Sequence, residues 1–261
     1  LFPKTSWGAM GIKVFDFDND GLMDIFITDM HSDMGDDHLK KMQDNVDLGE
    51  EKLKSPPPFP ESLLKTEGNS LFGNSFFRGV GPGRFEEISD TIGAENYWPW
   101  GLSVGDLNAD GFQDAFLTSS MNFPWRYHPN SVLLNEGGKV FRDAEFVVGV
   151  EPRRGGRTAI PWFVHDTSGR TGDNPFLDPE TYSGKFVMYG ALGSRSSVIF
   201  DLDGDGDLDI VTNDFNSEPL VLISNLAERR TVRRLAVRLT GTTSNRDGLG
   251  ARVSVKTAGG T

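Results

Sequence analysis

The chain has 261 residues, of which 37% are hydrophobic and 25% charged, and these values are typical of a globular protein with a sizeable core. Its 38 acidic residues exceed its 26 basic ones, so the formal net charge is −12. Because phosphate binding requires a basic face, this balance predicts no nucleic-acid partner. The absence of cysteine excludes a disulfide framework, and no apolar run is long enough to predict a transmembrane segment.

The first element along the chain is an acidic loop between two short apolar strands. Its oxygen-bearing side chains stand at positions 1, 3, 5 and 9, and glycine stands at position 6, where it permits a positive φ. Calcium takes six to eight hard oxygen ligands in a flexible geometry, which alternate carboxylates on a curled loop can provide. The predicted ligands are the side chains of Asp16, Asp18, Asp20 and Asp24 and the main-chain carbonyl of Leu22.

Residues 30–68 form a polar insertion that contains Pro56-Pro57-Pro58, and we expect a short helix around His38–Val46. Just before and within it, Asp29, His31 and Asp33 combine carboxylate with imidazole, which would suit a second metal such as zinc or manganese. The alternative, which the sequence favours, is an ordinary polar insertion on a rim of the fold.

A hairpin is predicted after this insertion, and a second copy of it occurs further along the chain. Asn69–Asn74 leads through a glycine-rich turn to Gly83–Glu87, and Asn130–Asn135 leads in the same way to Gly138–Asp143. Two strands around an acidic loop plus this outer hairpin make one four-stranded antiparallel unit. Such a unit cannot bury both faces alone, so several units must stack.

The second acidic loop resembles the first but has one carboxylate fewer, because Asn108 stands at position 3. We therefore expect it to bind calcium most weakly of the three loops. The strand before it contains Gly101-Leu102-Ser103-Val104-Gly105, which matches the nucleophile-elbow pattern but lacks the required strand-to-helix turn. The predicted ligands of this loop are Asp106, Asn108, Asp110 and Asp114 and the carbonyl of Phe112.

Residues 150–190 are rich in Gly, Arg, Pro and Asp and predict an irregular insertion. Aromatic residues are frequent near the loop ends, where they could stack on sugar rings or anchor a protein partner, although packing between sheets is the favoured interpretation. These aromatic residues are Tyr97, Trp98, Trp100, Phe123, Trp125 and Trp162.

The third acidic loop completes the series, and its predicted ligands are Asp201, Asp203, Asp205, Asp207 and Asp209. An EF-hand would need a glutamate at position 12 and flanking helices. Position 12 is Ile27, Leu117 or Thr212, and the flanks are strand-like, so the EF-hand interpretation fails. We expect about three calcium ions with a mainly structural role.

These loops resemble the Asp-x-Asp-x-Asp-Gly-x-x-Asp loops of FG-GAP/VCBS repeats in integrin-α-like β-propellers. Residues 239–253, which include Asn245-Arg246-Asp247-Gly248, resemble the start of an ASPIC/UnbV domain, which follows such propellers in the CRTAC1-like family. The resemblance implies an all-β fold, with a partial propeller over residues 1–230 (about three blades of four antiparallel strands) and the start of an ASPIC/UnbV domain over 231–261. Leu235–Leu239 predicts the first strand of that module. A complete propeller of this type would have about seven blades.

The expected function is that of a calcium-binding module, secreted or displayed on the cell surface, which binds a protein or polysaccharide. Leu1-Phe2-Pro3-Lys4 is not a signal peptide, and we interpret the chain as a fragment or processed piece, of bacterial rather than animal type because it lacks cysteine. No constellation of residues predicts catalysis. Two alternatives remain open, an enzyme or enzyme subunit acting on carbohydrate and a structural subunit of a surface filament or layer, and an oligomer is possible.

Overall fold

The structure is a computed structural model, which describes residues 6, 8–30, 73–119, 127–166, 184–215, 217–243 and 245–255. Within these residues the fold is all-β, and its strands form three main antiparallel sheets and one two-stranded ribbon. The helical segments are single turns: α1 (Ser89–Ile92), α2 (Leu226–Arg229) and a 3₁₀ turn (Arg154–Gly156). None of these described helices is long and apolar enough to cross a membrane.

The first sheet is a meander in which consecutive strands are neighbours, as the sequence predicted for one repeat unit. The first acidic loop joins its first two strands. Its strands are β1 (Ala9–Phe15), β2 (Asp24–Asp29), β3 (Ser75–Gly81) and β4 (Arg84–Glu87).

The outer hairpin of the first sheet begins later than predicted. Asn74, not Asn69, is the counterpart of Asn130, because each side-chain oxygen accepts the main-chain N–H that ends the second strand of its sheet: Asn74 from Asp29 at 2.8 Å and Asn130 from Ser119 at 3.0 Å. Residues 69–72 of the predicted segment lie outside the described residues, and β3 begins at Ser75. Residues 69–70 and 74–75 have the same Asn-Ser sequence, and only the long-range hydrogen bond tells them apart.

The second sheet repeats the meander and contains the second acidic loop between its first two strands. The strand that includes Gly101 and Gly105 is an ordinary member of this sheet. Its four strands are β5 (Pro99–Gly105), β6 (Asp114–Ser119), β7 (Ser131–Asn135) and β8 (Phe141–Asp143).

Residues 150–190 are not wholly irregular, which corrects the prediction for this insertion. β9 (Ala159–Asp166) and β10 (Lys185–Ala191) pair as an antiparallel ribbon, because each is rich in aromatic and β-branched residues that favour strands. The third sheet follows, with β11 (Ser194–Phe200), β12 (Asp209–Asp214) and β13 (Val221–Leu222), and the third acidic loop joins β11 to β12.

The three sheets stack in chain order, and the second sheet is buried on both faces. Along β6 the side chains alternate, so Ala115 and Leu117 pack on the first sheet while Phe116 packs toward the third. The first of these interfaces is rich in phenylalanine: Phe17 and Phe76 meet with ring centroids 5.2 Å apart. The innermost strands β1, β5 and β11 lie beside one another, which brings the three acidic loops to the same end of the stack.

The strand predicted at Leu235–Leu239 is absent: these residues are exposed and form no regular structure. An alternating apolar pattern forms a strand only when a partner strand accepts its hydrogen bonds, and none of the described residues supplies one here. The prediction of a short helix at 38–46 lies outside the described residues.

Candidate metal centre

The three acidic loops share a backbone conformation that holds their side chains inward. Glycine at position 6 has a positive φ in each loop, as the sequence predicted. Position 4 also lies in the left-handed region, which the sequence analysis missed, although Asn and Gly at this position in two of the loops were a signal. The φ angles at position 4 are 58° for Asn19, 51° for Ala109 and 85° for Gly204.

In the first loop, carboxylate oxygens accept hydrogen bonds from the main chain of the loop itself. Asp16 accepts from the N–H groups of Asp20 at 3.1 Å and Gly21 at 2.9 Å, and Asp20 accepts from Leu22 at 2.7 Å. These bonds curl the loop. As a result Asp16, Asp18 and Asp24 each offer an oxygen within 4.8 Å of the others, close enough to share one ion.

The second loop has nearly the same bonds but a different charge. Asp106 accepts from the N–H groups of Asp110 at 3.0 Å and Gly111 at 2.9 Å. Asn108 accepts from Asp110 N–H at 2.9 Å and donates its amide to the Asp110 carboxylate at 3.1 Å. Because Asn108 carries no charge, this loop has one negative charge fewer than the first, and its weaker calcium binding stays a prediction.

The third loop again gathers three carboxylates, with oxygens of Asp201, Asp203 and Asp209 within 4.8 Å of one another. Position 7 differs from the other two loops. Asp207 is buried, one of its oxygens accepts the Ala227 N–H at 2.7 Å, and the other has no hydrogen-bond partner among the residues that the structure describes. The side chain of Asp207 therefore anchors α2, a role that Leu22 and Phe112 cannot have at this position in the other two loops.

The aspartate at position 9 has the same structural role in all three loops. One oxygen of Asp114 accepts the N–H of Leu107 at 2.8 Å, near the loop start, and the other accepts that of Asn135 at 2.7 Å. Equivalent bonds join Asp24 to Phe17 and Gly79, and Asp209 to Leu202 and Ser224. Each ninth aspartate thus ties its loop to the third strand of its sheet or the segment after it, a contact that sequence spacing could not reveal.

Burial makes the negative charge costly at the ninth aspartates of the first and second loops. Desolvation raises the pKa of Asp24 and that of Asp114 to about 6, and the N–H donors offset only part of this effect. Burial also raises the pKa of Asp106. A bound divalent cation would favour the ionised form of each group, so the loops have an electrostatic reason to take up a cation.

Arginine side chains contact two of the three loops. Arg78 of β3 forms an ion pair with Asp18, and Arg234 from the segment after α2 forms one with Asp201. Arg252 donates to the carbonyl of Gly21 in the first loop. These contacts link residues 231–255 to the acidic end of the sheets.

The donor set fits calcium. All candidate ligands are carboxylate, amide or main-chain oxygens, the hard donors that Ca²⁺ takes in a flexible geometry, whereas Mg²⁺ retains several waters. Among the described residues, both carboxylate clusters lack a histidine or cysteine donor, and the buried oxygen of Asp207 that has no partner there belongs to the third loop. The first and third loops supply the most negative charge.

The sequence also offered a second metal site beside the first acidic loop. Of the predicted second metal site only Asp29 is described; it is buried and accepts the Gly8 N–H at 2.8 Å, while His31 and Asp33 lie outside the described residues.

In the Gly101–Gly105 motif, a Cβ on Gly101 would lie 2.8 Å from the Arg195 carbonyl oxygen, and Ser103 donates to the Ser197 carbonyl at 2.8 Å. The small residues of this motif therefore allow the second and third sheets to approach.

Residues 66–117 match the family described as an FG-GAP-like repeat. No significant match exists among the curated proteins. The matched segment includes β3, β4 and β5 and the whole second acidic loop, so it runs from the outer half of one sheet into the inner half of the next. The chain is therefore an all-β protein that carries an FG-GAP-like repeat, a kind of repeat common in extracellular binding modules.

Proposed function

We propose that this chain is part of a calcium-stabilised β-propeller that acts outside the cell, secreted or on the cell surface, as a binding module for a protein or polysaccharide. The observation that carries the proposal is the convergence of carboxylates in repeated loops at one end of the stacked sheets. Metal binding removes the repulsion between these carboxylates and holds two strands together, so it adds to folding stability. The resemblance to CRTAC1-like proteins with an ASPIC/UnbV domain, and to their bacterial members, belongs to the same proposal.

The exposed faces of the outer sheets support further blades. Phe15 and Phe200 occupy the same register, opposite Asp24 and Asp209, yet Phe15 is 4% exposed and Phe200 is 40% exposed. The difference arises because the second sheet covers Phe15 and no described sheet covers Phe200. Apolar faces of this kind are stable when another blade packs on them.

Thermal unfolding in calcium and in chelator tests the calcium part of the proposal. At a calcium concentration of about 100 times Kd, binding to one site adds about 2.7 kcal/mol, which corresponds to a rise in Tm of about 5–10 °C for a chain of this size. Asp16→Asn and Asp201→Asn should each lower this rise, and Asp90→Asn, an exposed change in α1, should leave it intact. A Tm that does not change after exhaustive chelation would contradict the proposal.

A further inference from the structure

The end of the sheets opposite the acidic loops carries arginine and aromatic side chains, and we call Arg154, Arg157 and Arg195 with Trp162 the arginine end. Arg195 stands at the start of β11, where the register with β12 shifts. Its guanidinium lies over the Trp100 ring, 4.2 Å from the centroid, and 5.2 Å from that of Phe215. Trp162 of β9 meets Phe215 edge to face at 5.5 Å.

The guanidinium of Arg195 has no counter-ion among the described residues, and its Nη1 is buried without a hydrogen-bond partner. The indole Nε1 of Trp100 is also buried, and no described residue accepts a hydrogen bond from it. Burial lowers the pKa of Arg195, as expected for a cation that no carboxylate compensates. Two adjacent donors that lack acceptors indicate that this place suits a ligand rich in acceptor oxygens.

Two exposed arginines belong to the same corner of the molecule. Arg154 and Arg157 form part of the turn before β9, and the adjacent Thr158 accepts the Leu192 N–H at 2.9 Å, three residues before Arg195. Neither forms an ion pair with a described carboxylate. A chain of net charge −12 thus concentrates unpaired positive charge at one place.

A buried network holds this corner in position. Arg153 forms an ion pair with Asp214 at the end of β12 and donates to the Ser194 hydroxyl at 3.0 Å. Its Nε donates to the Tyr127 hydroxyl, which contacts the Glu151 carboxylate at 2.7 Å. Because these groups are buried and bonded to one another, the arginine end is fixed before any ligand arrives, which lowers the entropic cost of binding.

We propose that the arginine end binds an acidic polysaccharide, with carboxylates of uronate units on Arg154, Arg157 and Arg195 and a sugar ring on Trp162. This inference rests on the proposed role as a binding module and names its ligand class. Guanidinium groups bind carboxylates through two parallel hydrogen bonds, and exposed aromatic faces stack on the apolar faces of sugars. Trp162 is 38% exposed, and the neighbouring strand presents Tyr189 at 58%, so ring faces accompany the charges. A uronate polymer offers both features in every unit.

The test measures binding of hyaluronate oligosaccharide, a uronate-containing probe, by calorimetry in calcium buffer, with neutral maltodextrin of similar length as the comparison ligand. We expect the wild-type chain to bind hyaluronate and not maltodextrin. Arg154→Gln/Arg157→Gln and Trp162→Ala, both exposed changes, should weaken binding about tenfold or more, as should Arg195→Gln. Arg229→Gln/Arg230→Gln, which removes two exposed arginines near the acidic end, should leave the affinity unchanged.

Each other outcome overturns the inference. Equal binding of maltodextrin would show that charge does not select the ligand, and full affinity in the Arg154→Gln/Arg157→Gln variant would place the ligand elsewhere. Tighter binding of poly-glutamate than of hyaluronate would assign the arginine end to an acidic protein. A failure to bind hyaluronate, in a protein whose Tm still responds to calcium, would overturn this inference and leave the calcium-stabilised module in place.

Discussion

The two ends of the stacked sheets carry opposite charges on one scaffold. At the acidic end, main-chain N–H groups hold the carboxylates, as in the bonds from Gly21 and Gly111 to the first aspartate of each loop. At the arginine end, side chains hold the guanidinium groups in place: Asp214 pairs with the supporting Arg153, and Arg195 lies against the rings of Trp100 and Phe215. The acidic loop is therefore repeated in each of the three main sheets, because any backbone can supply its donors. Within the part of the chain that the structure describes, the arginine end occurs once, because it needs particular side chains from distant parts of the chain.

The largest effect is expected from the buried ion pair at the arginine end. Both side chains of the Arg153–Asp214 pair are at most 5% exposed, so Arg153→Met leaves a buried carboxylate without its partner. We expect urea unfolding to show a loss of about 3–5 kcal/mol. Arg142→Met, which breaks an exposed pair with Glu136, is the control and should cost at most about 1 kcal/mol. Similar losses in the two variants would contradict the structural role assigned to Arg153.

A smaller effect is expected at the ninth position of an acidic loop. In chelator, where metal has no influence, Asp114→Ala removes the acceptor of the partly buried N–H of Leu107 and the buried N–H of Asn135. We expect the free energy of unfolding to fall by about 2–3 kcal/mol. Burial disfavours the ionised form of Asp114, and because the alanine variant no longer bears that cost, the loss is smaller by the same amount.

Asp110→Ala, in the exposed part of the same loop, is the matched control. It should change stability by about 0.5 kcal/mol in chelator. If it is as destabilising as Asp114→Ala, the ninth aspartate has no special structural role.

The smallest effect concerns the arginine that contacts the third acidic loop. Arg234 neutralises Asp201 and must leave this carboxylate when a cation binds, so Arg234→Gln should raise the calcium affinity of the third loop. The pair is exposed and contributes at most about 1 kcal/mol, which limits the gain to about fivefold. Calorimetric titration with calcium measures the affinity of each variant, with Arg233→Gln as the control. Lower affinity in Arg234→Gln would indicate that this arginine supports the metal site.

Local chemistry made much of the fold predictable. The alternation of carboxylates and the glycine at position 6 predicted where β1 ends and β2 begins, because the residues of such a loop bond to one another within a few positions. The same reasoning could not place the first strand of the outer hairpin, since two Asn-Ser pairs are equivalent in sequence and Asn74 is recognised only by its bond to Asp29 across 45 positions. It also failed for Leu235–Leu239, where an alternating pattern has no partner strand among the described residues.

The sequence by itself determined the repeat, the all-β class and the places where carboxylates gather, because these depend on residues close together in the chain. Tertiary structure alone decided that Asp207 anchors α2, that Arg153 pairs with Asp214, and that Arg195 lies on Trp100. These contacts join residues 20, 61 and 95 positions apart, and stacking of the sheets creates them. Long-range contacts of this kind distinguish the two ends of the molecule, and a local sequence pattern cannot predict them.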